Sequence, residues 1–252
     1  MIDLCLVNPN NRVPAPFAAS EPPLWLGLIA GYRQAQGQRV AVIDAEMENW
    51  DIEQTVSAIQ ECCPKEVGIV VMGRNPSVSS TPKVPVAEEL LKRIPGAWLT
   101  GLHPMAVGHP QAIKNPFKGL PSIPWQLLPM ERYVAHNWHC LDGSTRSPYA
   151  SVYTSLGCPF SCYYCNVAAL YDGRGVRERP IEGIRREIDT LATRYRVRNI
   201  KIWDELFALK EKRVLAICDV LKDYDLNIWA YARTDTITPR MLKAMKAAGF
   251  TW

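Results

Sequence analysis

The chain has 252 residues, 48% of them hydrophobic and 21% charged, with a net charge of +4. That is the composition of a soluble globular protein, with length for one large or two ordinary domains. No apolar run approaches the roughly 20 residues of a membrane span, and the opening strand-like run, Ile2 to Val7, carries no basic leader, so a cytoplasmic protein is expected.

The first hundred residues alternate strand and helix. Ile2 to Val7 reads as a buried strand, and Asn8 to Pro23 as a loop rich in proline and asparagine. Leu24 to Gln36 reads as a helix ending at Gly37, where Gly27 and Gly31 would let it lie close on a sheet. Arg39 to Asp44 is the next strand. Asp51 caps a helix with Ile52, Val56 and Ile59 on one face and Pro64 beyond its end. Val67 to Met72 is a third strand, Val86 to Ile94 a helix, and Ala97 to Thr100 a fourth strand. Short strands, apolar on both faces and separated by helices, predict a doubly wound parallel sheet over residues 1–120. No G-x-G-x-x-G follows the first strand, so a nicotinamide or flavin dinucleotide site is not expected.

Residues 105–116 read as short and irregular, and residues 121–150 as an interdomain linker. Within it, His136-Asn137-Trp138-His139-Cys140 offers metal-binding residue types at an awkward spacing. A packed loop is the favoured reading.

A second domain is expected over residues 151–252. A β-rich run, Ser151 to Ser155, leads through Leu156-Gly157 into Cys158-Pro159-Phe160-Ser161-Cys162-Tyr163-Tyr164-Cys165. Pro180 opens a helix with Ile181, Ile184, Ile188 and Leu191 on one face. Asn199 to Trp203 is a strand ending in Asp204-Glu205. Lys210 to Tyr224 is a helix burying Val214, Cys218 and Leu221. Leu226 to Ala232 is a third strand ending in Arg233-Thr234-Asp235. Thr238 caps, Pro239 starts and Gly249 ends a third helix, and Thr251-Trp252 begins what reads as a fourth strand. In such βα barrels the reactive groups sit at the carboxyl ends of strands.

Three thiolates spaced C-x3-C-x2-C can hold three irons of a 4Fe-4S cube. A structural zinc ion, the alternative, wants four ligands. The stretch TSLGCPFSCYYC closely resembles the cluster loop of radical S-adenosylmethionine (radical SAM) enzymes. That resemblance implies a 4Fe-4S cluster on Cys158, Cys162 and Cys165, with S-adenosylmethionine chelated at the open iron. It also implies that Asp204 and Glu205 meet the methionine amino group, Arg233 its carboxylate, and Tyr164 the adenine.

The first domain resembles the cobalamin-binding domain found ahead of many radical SAM domains. The matching residues are Leu6-Val7-Asn8-Pro9, Pro22 to Ala30, Val42 to Ala45, and Thr100-Gly101-Leu102-His103-Pro104. The resemblance implies cobalamin near Asn8, Pro9, Gly73, Thr100 and Gly101. The D-x-H-x-x-G motif is absent, and the fifth strand-helix unit of that domain is not evident. The barrel pattern likewise shows three βα units and the start of a fourth, against six in the family, so a fragment is expected.

Together these resemblances imply a cobalamin-dependent C-methyltransferase. The alternatives are a radical rearrangement or cyclisation enzyme, an iron-sulfur electron-transfer module, or a non-catalytic cobalamin-binding remnant. Expected partners are a small-molecule substrate and an electron donor such as flavodoxin or ferredoxin. Residues 174–198 hold eight arginines against four acids, which admits an acidic or phosphorylated substrate. Nucleic acid is not expected, since aromatic residues do not interleave with that run.

Overall fold

A computed structural model describes residues 1–10, 19–72, 83–102, 122–165, 167–171 and 173–252. The expected site residue Gly73, the His103-Pro104 pair and the segment read as a missing fifth unit lie outside the described residues. The chain divides into two compact units, Met1–Ala15 with Pro23–Pro129, and Pro16–Pro22 with Met130–Trp252. The expected linker is thus shared between them, and a short early segment belongs to the second unit.

The first unit is a parallel sheet of β1 (Ile2–Asn8), β2 (Val40–Asp44), β3 (Pro64–Met72) and β4 (Trp98–Leu102), in the order β2-β1-β3-β4. Placing β1 in the middle is what a doubly wound connection does, and it explains why Leu4 to Val7 are all fully buried. The helices are α1 (Leu24–Ala35), α2 (Ala45–Glu48), α3 (Ile52–Cys62) and α4 (Val84–Arg93). α3 begins with a capping box: Gln54 N–H donates to Asp51 Oδ1 and Asp51 N–H to Gln54 Oε1, each at 2.9 Å. Its Ile59 joins Val7, Ile43, Ile69, Val71, Ala87, Leu90 and Leu99 in one core. α1 is buried on every side from Leu24 to Gly31. Gly27 meets the Ile123 side chain, which lies 2.7 Å from where a Cβ would stand, so this glycine admits Ile123 against the helix.

The second unit carries a parallel sheet of β5 (Tyr149–Val152), β8 (Asn199–Ile202) and β9 (Asn227–Trp229), in that order. A small antiparallel pair, β6 (Ser155–Leu156) with β7 (Arg177–Glu178), flanks the short α5 (Val167–Leu170). The longer helices are α6 (Ile181–Asp189), which runs on into a wider π-type turn, α7 (Glu211–Leu221) and α8 (Pro239–Ala247). Thr238 caps α8, its Oγ1 accepting from Met241 N–H at 3.2 Å. The β6–β7 pair, α2 and the short 3-10 turns of residues 125–140 are additions to the sequence reading. Among the described residues no helix is long and apolar enough to cross a membrane.

Candidate functional site

The cysteine loop leaves the carboxyl end of β5, as a βα fold requires of a working loop. Gly157 precedes the first cysteine with φ at +86°, and a Cβ there would stand 2.5 Å from the Gly175 carbonyl oxygen. Only glycine fits. The loop is closed by Gly175 N–H donating to the Cys158 carbonyl at 3.1 Å, and by Cys165 N–H donating to the Cys162 carbonyl at 3.0 Å.

Two neighbouring carboxylates, at the end of β8, hold this loop's entrance. Asp204 is buried. Its Oδ1 accepts from Thr154 N–H at 2.7 Å, and its Oδ2 accepts from the hydroxyls of Thr154 and Ser155, the latter at 2.6 Å. Burial pushes its carboxyl pKa up, against those hydrogen bonds, which pull it down. Glu205 accepts from Gly157 N–H at 3.1 Å and from the Tyr171 hydroxyl at 2.8 Å. Burial raises its carboxyl to about 7. From the other side, Arg213 donates to the carbonyls of Thr154 and Arg179 at 2.7 and 2.8 Å, joining the residue before β6 to the residue after β7.

Arg233, past the end of β9, reaches the loop itself. Its Nη1 donates to Cys162 Sγ at 3.2 Å, and its guanidinium lies 4.1 Å from the centre of the Phe160 ring. A bidentate pair with Asp235, at 2.8 and 2.6 Å, fixes its orientation. Tyr164 and Tyr163 project almost wholly into solvent. Thus the structure brings Cys158, Cys162, Glu205 and Arg233 around one loop, places Asp204 behind it as a brace, and turns Tyr164 outward.

All three loop cysteines are free thiols, with Cys165 exposed. Burial raises the Cys158 thiol, with smaller contributions from Cys165 and Cys162. Among the described residues no three His, Cys, Asp or Glu side chains converge as a single metal ion requires. A cube spreads its irons, so its thiolates surround it rather than meet at one point. Three free thiols on one braced loop are a donor set that fits three irons of a cube.

In the first unit, Asn8 ends β1 beside Asp44, which ends β2. Asn8 Nδ2 donates to Asp44 Oδ1 at 2.7 Å, and Lys83 Nζ donates to Asn8 Oδ1 at 2.9 Å and to Glu46 at 2.7 Å. Pro9 is buried next to it. Thr100, in β4, has a buried hydroxyl with no hydrogen-bond partner among the described residues. Gly101 has φ +129°, and a Cβ there would stand 1.9 Å from the Val71 carbonyl oxygen. Four of the five expected cobalamin residues thus lie on β1, just after it, or on β4. Of these, the Thr100 hydroxyl is the side-chain group left without a hydrogen bond among the described residues.

Sequence reasoning missed Thr154, Ser155, Tyr171, Arg213 and Gly175. Gly175, opposite Gly157, was the one with a signal, a second glycine two residues after Gly173 in an otherwise arginine-rich stretch.

No protein-family model matches the chain. Over 132 residues, 52% of this chain, it is 34% identical to an uncharacterized methyltransferase of Pyrococcus horikoshii, PH0819, of which it spans 27%. Among solved structures it is similar to TsrM, a radical S-adenosylmethionine methyltransferase from Kitasatospora setae, with a TM-score of 0.63 at 15% identity, over 99% of this chain and 58% of that one. That structure holds a tryptophan substrate and aza-SAM, and a second holds cobalamin and a [4Fe-4S] cluster. OxsB, a cobalamin-dependent S-adenosylmethionine radical enzyme, is similar over 98% of this chain and 42% of its own, with a TM-score of 0.62 at 17% identity. The mixed α/β fold with an N-terminal parallel sheet is therefore that of cobalamin-dependent radical SAM enzyme structures. The chain spans about a quarter of the curated relative and about half of the solved ones.

Proposed function

We propose that this chain is a radical SAM protein, and that it acts in the cobalamin-dependent methylation of an unactivated carbon as the whole or a part of the enzyme. The observation that carries the reading is the cysteine loop: three free thiols at the carboxyl end of β5, braced by Asp204 and Glu205 from the end of the next strand in the sheet. The fold likeness and the methyltransferase relative support it.

Cys158, Cys162 and Cys165 would hold the cluster, which supplies the electron for reductive cleavage of S-adenosylmethionine, while cobalamin supplies a methyl group. The chain's own contributions are positional. Asp204 fixes the backbone before the loop. Glu205 presents a carboxyl that titrates near neutrality beside Gly157, in reach of an amino group if its bond to Tyr171 is given up. Arg233 keeps a cation against Cys162, where it would offset thiolate charge and receive a carboxylate. Near the first sheet, Asn8, Pro9, Thr100 and Gly101 would border the corrin.

Anaerobic reconstitution tests this directly. About four irons and four sulfides per chain are expected, with a reduced-cluster EPR signal that disappears in the Cys158→Ala/Cys162→Ala/Cys165→Ala variant. An unchanged signal in that variant would overturn the assignment.

A further inference from the structure

The sheet β5-β8-β9 has two unlike faces. Register pairs Ala150 with Ile200 and Ile200 with Ile228, and Val152 with Ile202. All five are buried and apolar. The opposite face pairs Tyr149 with Asn199 and Asn227, then Ser151 with Lys201 and Trp229, and continues past the strand ends with Tyr153 and Trp203. Paired residues share a face, so this second face is polar and aromatic, yet Tyr149, Asn199, Ser151, Lys201, Tyr153 and Trp203 are all buried.

At its centre stands an ion pair. Lys201 Nζ bonds Glu21 Oε1 and lies 5.0 and 5.2 Å from the ring centres of Trp203 and Trp229. Glu21 comes from the short early segment of this unit, which is anchored where Ser20 and Val134 exchange backbone bonds at 2.9 and 3.1 Å. Such a buried pair adds little stability over apolar residues of similar volume. Around it, three buried polar atoms have no hydrogen-bond partner among the described residues: Glu21 Oε2, Ser151 Oγ and Trp203 Nε1. Each is costly to leave unmet, by about 1–3 kcal/mol.

We propose that this face binds a small zwitterion of the α-amino-acid kind. The unmet groups are two donors, Trp203 N–H and Ser151 O–H, on the side of an ammonium, and one acceptor on a carboxylate. They match a ligand carboxylate and a ligand amine respectively. Charge decides against simpler ligands. The Lys201–Glu21 pair is neutral, so a zwitterion preserves neutrality in a buried site, whereas a lone acid or a lone amine would bring in one uncompensated charge. The indole walls suit an ammonium or an apolar side chain. As the substrate of the proposed methylation this ligand rests on the reading above, but as a binding site it stands on these residues alone.

Calorimetric titration of the reconstituted protein with each L-amino acid, in samples of known iron content, tests it. At least one should bind, and its decarboxylated amine and its deaminated acid should each bind at least tenfold more weakly. Lys201→Met and Glu21→Gln should each cost tenfold or more. The double variant Lys201→Met/Glu21→Leu, which restores an uncharged core, should keep the wild-type circular dichroism and melting midpoint without binding. No binding by any L-amino acid, equal binding by Lys201→Met, or equal binding by the bare acid would overturn the proposal. Amino-acid binding in samples that fail to take up iron would leave it standing and sink the cluster reading instead.

Discussion

Asp204 and Glu205 are adjacent in sequence and divided in labour. Asp204 spends both oxygens on Thr154 and Ser155, while Glu205 faces the loop through Gly157 and Tyr171. Removing the first carboxylate leaves a buried N–H and two hydroxyls unmet. Asp204→Ala should cost about 3 kcal/mol and drop iron loading below half of wild type, read by urea midpoint and iron content. Wild-type loading would show that the brace is dispensable. Gly101 makes an equally sharp case in the first unit. With φ +129° and the Val71 carbonyl 1.9 Å from a built Cβ, Gly101→Ala should lose about 3 kcal/mol or more. Gly96, at φ +81° with open space around it, should lose about 1–2 kcal/mol on the same change. Equal midpoints for the two variants would refute the steric argument.

Among the elements, the 3-10 turn Asn137–Cys140 closes the amino end of the second sheet. His139 Nε2–H donates to the Asn227 carbonyl at 2.9 Å, and Asn227 Nδ2 donates to the His139 carbonyl and to Asn199 Oδ1, both at 2.9 Å. Burial depresses the His139 pKa from 6.5 to about 4. The unfolded chain therefore takes up a proton that the folded one refuses. This contribution to stability is full above pH 6.5 and lost as pH falls from there to about 4, on the order of 3 kcal/mol in all. Urea midpoints at pH 7.5 and pH 5 should show the loss, and His139→Gln should flatten it. Where a packed interdomain loop was expected of His136 to Cys140, the chain forms a 3-10 turn of the second unit, with His139 and Cys140 buried and Trp138 exposed. Strand and helix identities were legible because β1, β3, β8, α3 and α8 carry strong periodicity and caps. β9 is shorter than its apolar run, Asn227–Trp229 against Leu226 to Ala232, because the chain turns away to set Arg233 on the cysteine loop. The two-residue strands β6 and β7 are below the length at which alternation can be read. At the candidate site the cysteines and the two acids were legible from spacing and strand ends. The buried pair of Lys201 and Glu21 was not, since it joins positions 180 residues apart and neither sits in a motif.

At the scale of the molecule, two compact units carry separate buried interiors, one on the first sheet and one on the second. Equilibrium unfolding is expected in two steps, with the single-transition approximation failing as it does for multi-unit chains. Leu90→Ala, in the first interior, should lower one midpoint by the equivalent of 2–5 kcal/mol and leave the other in place. A single transition by both circular dichroism and tryptophan fluorescence would contradict this.

The exchange of bonds between Ser20 and Val134 also orders events during synthesis. Ser20 leaves the ribosome with its partner more than a hundred codons away, and β1 to β4 are all made before Val134 appears. Domains that emerge first fold first, so the segment carrying Glu21 waits outside a nearly finished neighbour until the second unit emerges to claim it. The carboxylate that neutralises Lys201 is thus made 180 residues ahead of the lysine it serves.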